Sequence, residues 1–325
     1  MRVRMKDIAA RVGVSQVTVS HVLSGRGEEL RISPVTAERI VAAARELGYR
    51  PSALARSFKT HRSMSIGLAV GDLLDPFWAG LAVGAQQEAE QHGYTIVVVN
   101  TIESEEKERL VVDMLRERRV DGVILSPGHG KSRDLTALKA DGLPFVFVDR
   151  TIDGMNVPSV IGDNFGGAGA AVDYLVSRGH RQIAYLGGTL ENSTFRDRWL
   201  GFRRALARHR LKPGPHAIAP LDPDAAGEAA RCLFAGPPTA TAIMTASMWL
   251  TVGVLRTVPD DVAVVGFDQF LLPDLMRRQI TAVVQPVKEL GQHAVRLLLE
   301  TIADPSLTRQ LVLPSRLVIR GGGKT

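Results

Sequence analysis

From Ser65 onward, short apolar runs alternate with helical stretches, and this alternation limits the fold more than any other feature of the chain. The runs SIGLAVG, YTIVVVN, VDGVILS and PFVFVD are separated by expected helices over 78–92, 104–117 and 132–140. A break follows at TIDGMNVPSV. The pattern then resumes with a helix over 165–177, QIAYLGG, a helix over 195–208, HAIAP, a helix over 224–233, TAIMT, a helix over 248–256, and VAVVGFD. Near-continuous apolar strands separated by helices belong to parallel sheets covered on both faces. Two such runs predict two similar α/β lobes. Ligands of such sheets sit at the carboxyl ends of the strands, here most naturally between the lobes.

The segment ahead of this body has a different character. Residues 5–48 read as three short helices, over 6–12, 15–24 and 34–47. Ser33 before Pro34 is a good cap followed by a good first helical residue, and Gly48 closes the third helix. Residues 1–62 hold twelve Lys/Arg against five acids, a net charge of +7, whereas the remainder is close to neutral at −1. That asymmetry points to a polyanion-binding head on a neutral body. Taken alone, it fits a solvated basic surface equally well.

Other classes are narrowed quickly. The lone Cys232 excludes an intrachain disulfide. MRVRMKDIAARVG has charges but no apolar segment behind them, so no secretory signal is expected. The longest apolar candidate, 65–85, is interrupted by Asp72, Asp75 and Pro76. A cytoplasmic location and no membrane partner are the expectation.

The stretch VSQVTVSHVLSG, 14–25, tests the character of the head. Gly13 suits a tight turn, and Ala9 four residues earlier lets two helices approach. Ile8, Val12, Val14, Val19 and Val22 form the inner face. Ser15, Gln16, Val17, Thr18, Ser20 and His21 are left mostly outward. A solvated helix normally carries Lys and Glu there. Short hydrogen-bonding groups and a methyl-bearing Val suit phosphates and base edges in a major groove. A small core helix is the blander alternative.

These residues carry a resemblance. MKDIAARVGVSQVTVSHVLSG, followed by ISPVTAERIVAAARELGYRPSALARSFKT, is similar to the DNA-binding head and hinge of the lactose-repressor (LacI) family. The similarity continues through VFVDR, IGDNFGGAGAAVDYLVSRGHRQIAYLGG, DRWLGFRRAL, VPDDVAVVGFD and QPVKELGQHAVRLLLE, over nearly the whole chain. It implies an all-α helix-turn-helix head over 1–50, a hinge helix or linker over 51–62, and an effector-binding and dimerisation body over 63–325. The body would be two Rossmann-like parallel-sheet lobes, like a periplasmic binding protein. Lobe 1 is expected over about 63–161 plus part of 286–310, and lobe 2 over about 162–285 plus the C-terminal strands. The implied function is a homodimeric transcriptional regulator of double-stranded operator DNA, by family habit a repressor. The implied effector is a sugar-like small molecule, and neither cofactor nor metal is implied.

Roles carry over by position. Gln16 and Val17 match the most variable base-reading positions, and Thr18, Ser20 and His21 match positions touching phosphates and bases. Ser15 lies on the same face, and Ser24 with the Arg26 region is expected at the DNA backbone. Val17 can meet a thymine methyl but cannot hydrogen-bond. In the hinge, Leu54, Ala55 and Phe58 are the expected DNA contacts, with Phe58 at the wedge position where members usually carry Leu. Alternatively, Phe58 and Leu54 pack two hinge helices together.

For the effector, the resemblance places Arg198 and Asp268 at ligand-binding positions. Phe77 and Trp78 follow the first strand, Asp149 and Arg150 end the fourth, and Trp249 follows TAIMT. Phe77 and Trp78 serve either as ligand faces or as buried packing, and Asp75 either lines the cleft or caps a helix. Ser247 and Met248 stand where members usually carry a polar pair, so a hydrogen-bonding contact is lost and apolar surface gained. The segment 253–262 is shorter than usual, which predicts a truncated helix. Leu221 falls near a position where purine-sensing members carry a stacking Phe, which argues against a purine.

Two other classes compete. An enzyme reading has only the glycines of GDNFGGAGAA and the pair Asp149 and Asp268, with no phosphate loop, metal spacing or activated nucleophile, so no catalytic residue is assigned. A solute-binding protein without regulatory role suits the body but not the basic head. Salt-dependent duplex binding separates the latter from a regulator.

Overall fold

The structure is a computed structural model of the chain, and it describes residues 3–49, 62–102, 104–128, 135, 142–236, 240–270 and 278–320. It separates into two compact units, Met1–Ser63 and Met64–Thr325.

The first unit contains α1 (Met5–Val12), α2 (Gln16–Leu23) and α3 (Pro34–Glu46). Gly13 ends α1 at φ 75°, in the left-handed region that glycine enters without a Cβ penalty. Ile8, Ala9, Val12, Val19, Ile40, Ala43 and Ala44 form the small core, with Val14 and Val22 at its margin. Two helices start by the same device: the Ser15 hydroxyl accepts from the Thr18 N–H, and the Ser33 hydroxyl from the Thr36 N–H. Arg39 on α3 donates to the Val12 carbonyl, satisfying an orphan group at the end of α1.

The second unit runs β1 (Ser65–Val70), α4 (Pro76–Gln91), β2 (Thr95–Asn100), α5 (Glu105–Glu117), β3 (Gly122–Leu125), β4 (Phe145–Val148) and β5 (Ser159–Gly162). It continues with α6 (Asn164–Ser177), β6 (Ile183–Gly187), α7 (Ser193–Arg208), β7 (His216–Ile218), α8 (Pro223–Phe234), β8 (Ala242–Thr245), α9 (Met248–Leu255), β9 (Ala263–Phe267) and β10 (Thr281–Val284). It closes with α10 (Val287–Ala303), β11 (Gln310–Leu313) and β12 (Arg316–Val318). Two six-stranded sheets result, ordered β11-β5-β4-β3-β1-β2 and β12-β10-β9-β8-β6-β7. All pairs are parallel except β10 with β12. Central strands such as β3, β4 and β8 are buried at every position because helices cover both faces.

Two expectations are corrected. The stretch TIDGMNVPSV is not a break throughout, since its last residues open β5. Four residues after a proline are too few to show a period. The C-terminal strands do not all join the second lobe: β11 pairs with β5 in the first sheet, and only β12 enters the second. The reason lies in α10, which packs against α4, β3, β4 and β5 and so delivers the chain back to the first sheet.

The α4–α10 contact is unusually close. A Cβ on Gly84 would stand 2.1 Å from the Lys288 carbonyl oxygen, and one on Gly291 would stand 2.1 Å from that of Leu81. Only glycine permits this backbone approach. Beneath it, Glu88 is buried and accepts from Arg296 Nε and Nη2 at 2.8 and 2.7 Å. Among the described residues the chain passes between the sheets three times, after β5, after β10 and between β11 and β12.

Candidate functional site

In the first unit, α2 places the expected contact residues as follows. Gln16 and Val17 are exposed, Val17 at 63%. Thr18, Ser20 and His21 are half-buried, while Ser15 and Ser24 are exposed. Ser15 caps the helix and its hydroxyl also lies 2.8 Å from that of Thr18. Ser24 sits at the other end and donates to the His21 carbonyl. Three of the seven side chains therefore spend a hydrogen bond on the ends of α2. Leu54, Ala55 and Phe58 lie outside the described residues.

In the second unit, the carboxyl ends of both sheets face a shared cavity of about 160 Å3. Phe77, Trp78, Asp149, Arg150, Arg198, Trp249 and Asp268 all line it. Four polar residues that the sequence reading did not assign to the site line it too: Asp72, Asn192, Thr194 and Gln285. Asn192 had a signal. It begins α7 as Asp75 begins α4, at the corresponding place in the second lobe, and each side chain accepts from the N–H two residues on. Gln285, immediately after β10, stands at a strand end like the others.

Arg198 projects from α7 and is 3% exposed. Its Nε donates to Asn164 Oδ1 at 2.9 Å and its Nη1 to the Ala246 carbonyl. Nη1 also lies 3.5 Å from Asp268 Oδ2, and the guanidinium carbon stands 3.7 Å from the Phe267 ring centre. Its position is thus set before any ligand arrives. Asp268 follows β9 and accepts from Gln285 Nε2 at 2.7 Å. Across the cavity, Asp149 follows β4 and pairs with Arg150 at 3.5 Å. Arg150 in turn lies 5.5 Å from the Trp78 ring, which meets Phe77 edge-on at 4.8 Å.

Asp75 fills both of its expected parts. It caps α4 through the Phe77 N–H and also lines the cavity. Burial, with the facing Asp268 and the nearby Asp72 and Asp149, pushes its carboxyl up to about 7 against the pull of that N–H. Trp78 is largely buried at 4%, whereas Phe77 is half-buried, so each combines packing with a cavity face.

The departures near β8 have local explanations. The Ser247 hydroxyl caps α9 by accepting from Leu250 N–H. Met248 turns away from the cavity and packs with Phe270 and Ile280, so the apolar surface gained there is Trp249 alone. The helix α9 has eight residues. The glycines after β5 serve packing: the Asp163 carboxylate takes the Gly166 N–H at the start of α6, and a Cβ on Gly167 would meet Val283 at 2.7 Å.

One side of the cleft is laced by hydrogen bonds between lobes. Thr194 donates to the Asp149 carbonyl at 3.2 Å, Thr151 N–H to the Ser193 hydroxyl at 3.0 Å, and Arg196 pairs with Asp153 at 2.9 Å. Among the described residues no helix is long and apolar enough to cross a membrane.

Comparisons with known proteins divide the chain along the same lines. Residues 4–52 match the family described as bacterial regulatory proteins, lacI family. Residues 63–320 match periplasmic binding proteins and sugar binding domain of LacI family. The ribose operon repressor of Escherichia coli (strain K12) is 33% identical over 331 residues, covering 98% of each chain. Catabolite control protein A of Priestia megaterium is 30% identical over 335 residues, covering 100% of each. Among solved structures, the lac repressor dimer bound to operator and the anti-inducer ONPF superposes with a TM-score of 0.88 at 27% identity, covering 98% of each chain. The transcriptional regulator CelR–cellobiose complex gives 0.74 at 28%, covering 99% of this chain and 100% of that one.

Proposed function

Because this chain belongs to the LacI family of bacterial regulatory proteins, we propose that it represses transcription as a dimer on a pseudo-palindromic operator, under the control of a small sugar-like molecule held between its lobes. The observation that carries this reading is the joining of two features in one chain. One is a capped, three-helix basic head with Gln16 and Val17 outermost on α2. The other is an inter-lobe cavity lined by charged and aromatic side chains from both sheets.

In this reading α2 enters the major groove. Gln16 and Val17 meet base edges, and Thr18, Ser20, His21, Ser15 and Ser24 hold the sugar-phosphate backbone and adjacent bases. The hinge over 51–62 inserts Phe58 at the operator centre, flanked by Leu54 and Ala55. Asp149, Arg150, Arg198 and Asp268 bind effector hydroxyls, and Phe77, Trp78 and Trp249 cover its apolar face. The effector is bound and released unchanged, and the protein works in the cytoplasm. Effector and operator alter each other's affinity by the same factor.

The relatives named for a ribose operon make ribose the first sugar to try. The test is selection of duplexes from a random pool at near-physiological salt, repeated with ribose present. Enrichment of one pseudo-palindrome, altered by a sugar, supports the reading. Lack of enrichment under every condition, with a sugar still bound, moves a solute-binding role ahead.

A further inference from the structure

We propose that the cleft admits an uncharged sugar of a single ring and turns away the phosphate ester of that same sugar. This rests on the reading of the cleft as the effector site.

Size gives the first limit. The cavity of about 160 Å3 is close to the ~150 Å3 void that holds one benzene ring. A pentose or hexose ring matches that scale.

Charge gives the second. Among the described lining residues stand four carboxylates, Asp72, Asp75, Asp149 and Asp268, against two guanidinium groups. Both guanidinium groups already have partners. Arg198 is held by Asn164, the Ala246 carbonyl and Asp268. Arg150 pairs with Asp149 and lies over Trp78. A phosphate therefore meets surplus negative charge, and guanidinium groups that it would have to share with their present partners.

Backbone donors are the usual alternative for a phosphate, gathered at helix N-termini. Three helices begin at this cavity, and at each start the capping side chain already takes one backbone N–H. Asp75 takes the Phe77 N–H, Asn192 the Thr194 N–H and Ser247 the Leu250 N–H. At α4 the capping group is itself a carboxylate.

The wall is also rich in acceptors. Gln285 gives its Nε2 hydrogen to Asp268, which leaves its buried Oε1 without a hydrogen-bond partner. A ligand suited to this wall brings donors, and the hydroxyls of a free sugar supply them. The protonation of Asp75 up to about pH 7 tempers the charge at this wall.

The test is calorimetric titration of the full chain with a panel of free pentoses and hexoses and their 5- or 6-phosphates, alongside operator binding by anisotropy. A free sugar is expected to bind and shift operator affinity, and its ester to bind at least about tenfold more weakly. At about pH 8.5, where the Asp75 carboxyl is ionised, Asp75→Asn keeps the cap and removes a charge, so it should narrow that gap. An ester that binds as tightly as its free sugar, or a gap unchanged in Asp75→Asn, overturns the proposal. Operator binding with no response to any free sugar overturns the ligand class and leaves the regulator reading standing. Absence of specific DNA binding overturns that reading instead.

Discussion

Asp149 and Asp268 are counterparts: each follows the fourth strand of its lobe, and each holds a left-handed backbone, at φ 67° and 73°. An aspartate tolerates this region better than most L residues, though at some cost. The pairing turns one carboxylate from each sheet into the same cavity. Asp268→Asn removes the charge facing Arg198 but is expected to keep the turn and the Gln285 contact, costing about 2 kcal/mol. Asp268→Ala strips a partner from buried Arg198 and should cost about 3 kcal/mol. Urea unfolding of the two variants checks this, and equal losses would sink the argument.

The Asp75 carboxyl gives a signed pH dependence. Its proton leaves near 3.8 in a model peptide and at about 7 in the fold. Between those values only the unfolded chain has released it, so in that window rising pH favours unfolding through this group. Asp75→Asn should therefore melt about 2–4 °C above the parent at pH 8. The difference should shrink as the pH falls toward 4. Scanning calorimetry across pH reads it, and a constant offset would count against the assignment.

The contact of α4 with α10 leaves no room for a methyl group. Gly291→Ala forces that methyl against the Leu81 carbonyl and should cost about 2–3 kcal/mol. Gly236→Ala serves as the control, because nothing lies within 4 Å of a Cβ there. Thermal melts that drop equally for both would contradict the packing.

On α2, Ser15 and Val17 are expected to separate two kinds of DNA contact. Ser15→Ala removes the helix cap, costing about 1 kcal/mol of stability in the head and weakening all duplexes alike. Val17→Ala should relax discrimination at one base pair of each half-site by about 1 kcal/mol, with other positions unchanged. Binding to a set of single-base operator variants distinguishes the patterns.

Local periodicity made most of this molecule readable. The apolar runs that became β1 to β4 and β6 to β9 announced two sheets, and Ser33 ahead of Pro34 marked the start of α3. The misses are non-local. β11 finds its partner at Ser159, some 150 residues earlier, and no local pattern says which sheet it joins. Gln285 reaches the cavity only because both lobes fold, and it is not unusual beside its sequence neighbours, whereas Asn192 was marked only by its likeness to Asp75 at the start of a helix. Seven cleft positions were legible, Arg198 and Asp268 from the family resemblance and the other five from their places after strands, and all seven line one cavity.

The three passages between sheets set the mechanics of the body. Like the stitching in the spine of a book, three ties hold the two halves together. A single cut in one tie would leave two others holding the spine.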